Sequence, residues 1–215
     1  MTEEGLTQTE IADIRRAISG SREATSRLLC ALGALDDLDM SRTSLLPDWT
    51  VGHVLTHLAR NADSFVRVLR SASEDRPVPQ YPGGAAGRNQ DIEQGARRPT
   101  KVIMADLADS AARLDSTFDE VPGVVWQRHG LRSDGSALFC RVLPVSRWRE
   151  VEVHHVDLGL GYGISDWPAE FVSIDLPYAL ERVPGRLEDP AQRAAFLAWI
   201  YGRAIGPAGF ALRPF

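Results

Sequence analysis

Apolar residues recur every three or four positions along four long segments of the chain, which is the spacing of one face of an α-helix. The first three segments are residues 7–35, 50–73 and 100–121. The fourth covers residues 138–158, and Pro144 inside it is expected to kink or restart the helix. Four long amphipathic helices predict a four-helix bundle, in which metal sites are built from inward-facing side chains of facing helices.

Prolines, glycines and helix-capping residues indicate how these segments are connected. A long irregular connection is predicted at residues 77–87, followed by a short helical stretch at residues 89–94. Two shorter helices are predicted near the end, from Asp166 through Val183 and from Asp189 through Arg203, each opened by an acidic residue and a proline. The sequence therefore predicts a mostly α protein with a bundle over residues 1–162 and a small C-terminal domain over residues 163–215.

Composition excludes several classes of function. A net charge of -5 and a pI near 5.6 argue against nucleic acid or an anionic membrane as a partner. No apolar run approaches the roughly 20 residues of a membrane span. The first residues are acidic and lack the features of a signal peptide, which predicts a cytoplasmic protein. The two cysteines are too few for a disulfide framework, and Cys30, in an apolar run, is predicted to be buried.

The fourth helix carries a stripe of ionisable side chains. Glu150 and His154 stand one turn apart on one helical face, and Asp157 returns to nearly the same direction. A carboxylate and an imidazole at this spacing can bind one divalent metal ion. The stripe needs a third ligand from elsewhere in the chain.

The second helix offers two candidates for that ligand, His53 and His57, again four residues apart. Either histidine, together with Glu150 and His154, would make a set of two imidazoles and one carboxylate. Three protein ligands leave one coordination position open, as in catalytic zinc sites. The spacing alone does not choose between the two histidines.

Four segments of the chain resemble the mycothiol-dependent maleylpyruvate isomerase family, within the DinB-like superfamily of metal-binding four-helix bundles. They are LPDWTVGHVLTHLA at residues 46–59, RNQDI at 88–92, LPVSRWREVEVHHVDLG at 143–159 and LAWIYGR at 197–203. The resemblance implies that the metal ligands are His57, Glu150 and His154. It also implies catalytic roles for two arginines, Arg88 and Arg203.

The resemblance further implies an α/β C-terminal domain, but here only residues 184–188 separate its two predicted helices. We therefore expect a trimmed domain that is mostly helical. The implied cofactors are a divalent metal ion, zinc by preference, and the thiol mycothiol. In the family's reaction, metal-bound thiolate adds to the cis double bond of maleylpyruvate, the bond rotates, and elimination leaves fumarylpyruvate. Arg203 and Arg88 would bind the carboxylates of such a dicarboxylate substrate.

Three other functions remain open from the sequence. A mycothiol S-transferase acting on a small electrophile would need the same activated thiol. A metal-dependent hydrolase would hold water at the open position. A non-catalytic DinB-like bundle would keep the site without using it. The sequence identifies neither the substrate nor the oligomeric state.

Overall fold

The computed structural model describes residues 5–35, 38–132 and 134–201. Helices dominate this part of the chain, and the only strands within it form one short antiparallel hairpin. The helices are α1 Gln8–Gly33, α2 Val51–Ser73, α3 Gly84–Gly95, α4 Thr100–Glu120, α5 Leu143–Asp157, α6 Ala169–Arg186 and α7 Pro190–Ile200; the strands are β1 His129–Leu131 and β2 Ala137–Phe139. Each described helix is too short or too polar to cross a lipid bilayer.

Helices α1, α2, α4 and α5 pack together as the predicted four-helix bundle. The most extensive contacts are those of α2 with α4 and of α1 with α5, and contacts of α2 with α5 and α1 with α4 complete the arrangement. The core includes Phe65 and Leu69 from α2, Leu114 and Phe118 from α4, and Leu143 from α5. Removing these side chains from water stabilises the fold by roughly 25 cal/mol for each Å² of apolar surface. The mostly α fold built on a four-helix bundle, as expected from the sequence, is confirmed.

Close packing of α1 against α5 fixes the position of α5. A Cβ atom on Gly20 of α1 would lie 2.4 Å from ring atoms of Trp148 on α5, so only glycine leaves room for that indole. The Trp148 Nε1–H donates to Glu152 Oε1 at 3.1 Å, one turn further along α5. The two helices therefore meet at a tight, well-defined crossing.

The fourth predicted helix begins later than the sequence suggested. Residues Ala137–Phe139 form strand β2 and Cys140–Val142 form a single 3₁₀ turn, so α5 starts at Leu143 with Pro144 in its first turn. Proline has no N–H to donate, and the first turn of a helix is where this loss costs nothing. The prediction of a helix from residue 138 is therefore wrong, whereas its end near residue 158 is confirmed.

The predicted burial of Cys30 is also wrong, since this residue is exposed. Leu28 and Leu32 of the same helix point into the core, and Cys30 lies between them on the outer face. An apolar run in a helix covers every side of it, so its residue types alone do not tell which members point inward.

The chain forms two compact units, Met1–Trp167 and Pro168–Phe215. The second unit contains α6 and α7, and the side chain of Asp189 caps α7 by accepting a hydrogen bond from the Ala191 N–H at 2.8 Å. The division falls after Trp167, slightly beyond the boundary predicted after residue 162, and the functional division of the chain stays a prediction.

Candidate metal centre

Helices α2 and α5 bring two imidazoles and one carboxylate together. His57 Nε2 of α2 lies 2.8 Å from Glu150 Oε2 of α5, and His154 Nε2 lies 3.5 Å from the same oxygen. One ligand atom from each of the three residues lies within 4.8 Å of the other two. Because Glu150 and His154 are one helical turn apart in α5, both side chains lie opposite His57.

This donor set fits a divalent cation. Neutral imidazole nitrogen and carboxylate oxygen are ligands that zinc and other first-row divalent metals accept. Three protein ligands also leave a coordination position free for a substrate or a thiol. Histidine, cysteine, aspartate and glutamate are the usual metal ligands. Among the described residues of these four types, His57, Glu150 and His154 are the ones that lie close enough together to share one ion.

His53 is occupied at the start of α2 and stands outside this group. Its Nδ1 accepts a hydrogen bond from the Thr50 backbone N–H at 3.2 Å and one from the Thr50 hydroxyl at 2.8 Å. Its Nε2 faces Glu93 Oε1 at 3.5 Å. His53 therefore caps the helix, and the two histidines that sequence spacing could not separate have different surroundings.

Asp157 orients His154 at the end of α5. The Asp157 Oδ2 atom lies 2.8 Å from His154 Nδ1, so the ring donates its Nδ1–H to the carboxylate. This bond orients the ring so that its Nε2 faces Glu150. In many metal sites of proteins, a histidine that binds the metal through one ring nitrogen donates its other ring N–H to a carboxylate in this way.

Helix α3 brings the guanidinium of Arg88 to the edge of the centre. Arg88 Nη2 lies 3.0 Å from His57 Nδ1, and its Nη1 donates to Asn89 Oδ1 at 3.1 Å. The Arg88 Cζ atom also lies 5.8 Å from the centre of the Tyr81 ring. Of the two arginines predicted to be catalytic, Arg88 is thus beside the centre, whereas Arg203 falls outside the described residues.

Two aromatic rings cover the His57 imidazole. The Trp49 ring meets the His57 imidazole edge-on with 5.7 Å between ring centres, and the His57 and His154 rings cross almost at right angles at 4.7 Å. The His57 residue is only 4% exposed. Electrostatic interactions of the His57 ring are therefore stronger than those of a ring at the protein surface.

Burial and charge set the protonation of the three candidate ligands. Burial lowers the pKa of His57, and its bond to Glu150 does not fully offset that effect. Burial also acts to lower the pKa of His154, but contacts with Glu150 and Asp157 outweigh it and raise the pKa. Burial would raise the pKa of Glu150, yet the two histidines outweigh it and hold that pKa well below its ordinary value. Glu150 is therefore ionised at neutral pH, as a metal ligand must be.

Sequence reasoning missed Arg147, one turn before Glu150 on α5. This residue is 1% exposed, and its Nη1 donates to the Leu58 backbone oxygen at 2.7 Å and to Asn61 Oδ1 at 2.9 Å, both on α2. Burial lowers its pKa to about 10, so the guanidinium stays charged at neutral pH. The signal in the sequence was the position of Arg147 on the same helical face as Glu150 and His154.

A second buried polar cluster lies on another side of α5. The Glu152 carboxylate accepts hydrogen bonds from Arg27 of α1, from the Trp148 indole and from the Tyr162 hydroxyl. His155 stacks on the Tyr162 ring with 3.9 Å between the ring centres. His155 thus belongs to this cluster and not to the group around Glu150.

One known protein family matches most of the chain. The family described as the mycothiol maleylpyruvate isomerase N-terminal domain matches residues 21–159, a range that includes His57, Glu150 and His154. No curated protein matches the chain.

Two solved structures are similar to the chain. A crystal structure of the mycothiol-dependent maleylpyruvate isomerase has a TM-score of 0.75 and 22% sequence identity, over 97% of this chain and 94% of that one. A crystal structure of a histidine-to-alanine mutant of a mycothiol-dependent maleylpyruvate isomerase has a TM-score of 0.70 and 25% identity, over 80% of this chain and 69% of that one. The chain and the first of these structures correspond over nearly their whole lengths. The expected trimming of the C-terminal domain stays a prediction.

Proposed function

Because the chain belongs to the family of the mycothiol maleylpyruvate isomerase N-terminal domain, we propose that it is a metal-dependent, mycothiol-using cis–trans isomerase. The observation that carries this proposal is the convergence of His57, Glu150 and His154, whose ligand atoms lie within 4.8 Å of one another inside the matched region. A family match alone would be satisfied by a protein that had lost these side chains. Their retention in mutual contact supports an active member of the family.

His57, Glu150 and His154 would hold the cation, and zinc suits a set of two imidazoles and one carboxylate best. When bound, such a cation supplies a positive charge that lowers the pKa of a thiol, so that mycothiol is available as the nucleophilic thiolate at neutral pH. The protein's own contribution is to fix the ligand geometry. Asp157 holds the His154 ring in place, and Trp49 packs against His57 and limits the access of water.

Arg88 would bind the substrate. Its guanidinium lies 3.0 Å from His57 Nδ1, one imidazole ring away from the Nε2 atom that would bind the cation, so a substrate carboxylate at the edge of the centre would be within its reach. Maleylpyruvate is a dicarboxylate, and a guanidinium binds a carboxylate through two parallel hydrogen bonds. The same positive charge would stabilise the enolate that develops when a thiolate adds to the double bond. We assign a similar role to Arg203, which lies outside the described residues.

An assay of the purified, zinc-loaded protein tests this function. Maleylpyruvate isomerisation should depend on both mycothiol and zinc and should fall by at least about a hundredfold in a Glu150→Gln variant. A Glu93→Gln variant is the matched control, because Glu93 is an exposed carboxylate that contacts His53 outside the centre. Its activity should equal that of the wild-type protein.

The same assay, run with a generic thiol-reactive electrophile, separates the other functions. Conjugation of mycothiol to that electrophile without isomerisation of maleylpyruvate would identify a thiol S-transferase instead. Bound zinc with neither reaction would identify a non-catalytic bundle. Either result would contradict the isomerase proposal.

A further inference from the structure

The two histidines of the candidate centre have opposite partners at their Nδ1 atoms. His154 Nδ1 lies 2.8 Å from the Asp157 carboxylate. An ionised carboxylate has no proton to donate, so it can only accept a hydrogen bond. His57 Nδ1 lies 3.0 Å from the Arg88 guanidinium, which can only donate one. A neutral imidazole carries one ring proton, so these partners fix where that proton is on each ring.

The proton positions differ in their consequence for metal binding. On His154 the proton is on Nδ1, and the Nε2 lone pair is free to bind a cation. On His57 the Nδ1 lone pair accepts from Arg88, so the proton is on Nε2, where it is donated to Glu150 Oε2 at 2.8 Å. His154 can therefore bind a cation through Nε2. His57 cannot do so until Nε2 loses its proton.

We infer that Arg88 competes with the metal ion for His57, and that metal binding moves the His57 ring proton from Nε2 to Nδ1 and releases Arg88. This inference rests on the proposed metal centre. Ligation through Nε2 requires that atom to lose its proton, and the neutral ring then carries its one proton on Nδ1. Two donors, Nδ1–H and the guanidinium N–H, cannot share a 3.0 Å contact, so Arg88 must leave. The number of protons on His57 does not change.

Two further observations favour the release of Arg88. A divalent cation at the centre would add positive charge next to a guanidinium that is already beside His57, and like charges at this distance repel. Arg88 also has other partners within reach, since its Nη1 donates to Asn89 Oδ1 and its guanidinium lies over the Tyr81 ring. The released side chain would therefore remain near the centre. In the metal-free protein Arg88 is engaged by His57, and in the loaded protein it is available to a carboxylate.

Zinc affinity, measured by competition with a chelating indicator dye, tests the competition directly. Arg88→Met removes the donors while keeping an unbranched apolar side chain, so it should bind zinc about tenfold more tightly than the wild-type protein. Arg97→Met is the matched control, because Arg97 is an exposed arginine that pairs with Glu93 at 3.7 Å, and its affinity should not change. Asp157→Ala removes the acceptor that prepares His154 and should bind zinc about tenfold more weakly. Equal or weaker zinc binding by Arg88→Met would overturn the inference.

Nitrogen NMR of the histidine rings provides the second measurement. The metal-free spectrum should be recorded above the raised pKa of His154, where that ring is neutral. The His57 proton should then be on Nε2 and the His154 proton on Nδ1; after zinc is added, both should be on Nδ1. A His57 ring with its proton on Nδ1 before zinc is added would also overturn the inference. If wild-type protein and Arg88→Met bind zinc equally well, only the competition is wrong. If neither binds zinc, the proposed function is wrong as well.

Discussion

Arg147 of α5 donates a hydrogen bond to Asn61 of α2 across 2.9 Å, deep between the two helices that carry the candidate metal ligands. Its second acceptor is the backbone oxygen of Leu58, the residue that follows His57. The candidate centre therefore lies directly beside a buried, charged cross-link. The distance between His57 and Glu150 depends on this cross-link as well as on their own contact.

Replacing Arg147 with methionine should lower the free energy of unfolding by about 2 to 4 kcal/mol, because the Leu58 oxygen and the Asn61 amide would lose their partner while remaining buried. Urea unfolding of the metal-free protein measures this change. Arg76→Met is the control, since Arg76 forms an exposed ion pair with Glu74, and it should alter stability by less than about 0.5 kcal/mol. Equal stability of the two variants would mean that the cross-link contributes nothing.

Gly20→Ala should destabilise the protein by about 2 kcal/mol, since the added Cβ would lie 2.4 Å from the Trp148 ring and force α1 and α5 apart. Gly33→Ala in the same helix has open space around the added atom and should not destabilise it. Thermal unfolding of both variants makes the comparison. A Gly20→Ala variant as stable as Gly33→Ala would show that α1 and α5 can separate freely.

Metal content should distinguish the two histidines of α2. Elemental analysis of purified protein should find about one equivalent of metal, and His57→Ala and His154→Ala should lose most of it. His53→Ala should keep the metal and lose only about 1 kcal/mol of stability, because its ring caps the helix through Thr50. Loss of metal from His53→Ala to the same extent as from His57→Ala would reject the ligand assignment.

The metal-free protein should be most stable near pH 6.5, because His57 and His154 respond to pH in opposite directions. Burial holds the pKa of His57 below its ordinary value of 6.5, so stability contributed by the neutral ring is lost as pH falls below that value. Burial opposes protonation of His154 too, but contacts with Glu150 and Asp157 raise its pKa. Stability contributed by the charged ring is therefore present below pH 6.5 and is lost as pH rises through the raised pKa.

Urea midpoints measured between about pH 5 and 8 test this expectation. In a His154→Gln variant the decline above pH 6.5 should shrink, while the decline below it persists. An unchanged profile would show that the His154 contacts do not contribute to the stability of the metal-free protein.

The two cysteines should differ in their reaction with a thiol reagent. Burial raises the pKa of Cys140 to about 12, which leaves almost no thiolate at neutral pH, whereas Cys30 is exposed. Native protein should therefore react at one thiol, and unfolded protein at two. A Cys30→Ser variant that still reacts in the native state would contradict the burial of Cys140.

The bundle and its ligand stripe could be predicted because both follow from helical periodicity. The choice between His53 and His57 could not, since residues four apart share one face. Their surroundings differ only in the folded protein, where His53 caps α2 through Thr50 and His57 contacts Glu150. The start of α5 was missed because the apolar pattern continues through the strand and turn that precede Pro144. Arg147 was missed because a buried arginine is rare and its burial depends on acceptors from another helix.

Polar contacts hold α5 from two sides. One side carries Glu150 and His154, and the other carries Glu152 with its bonds to Arg27 and to Trp148. Rotating this helix to suit an ion of a different radius would break both sets of contacts at once. An engineer who wishes to retune the centre for another cation should therefore leave α5 unaltered and vary the position of His57, whose only polar contacts are with Glu150 and Arg88 among the described residues.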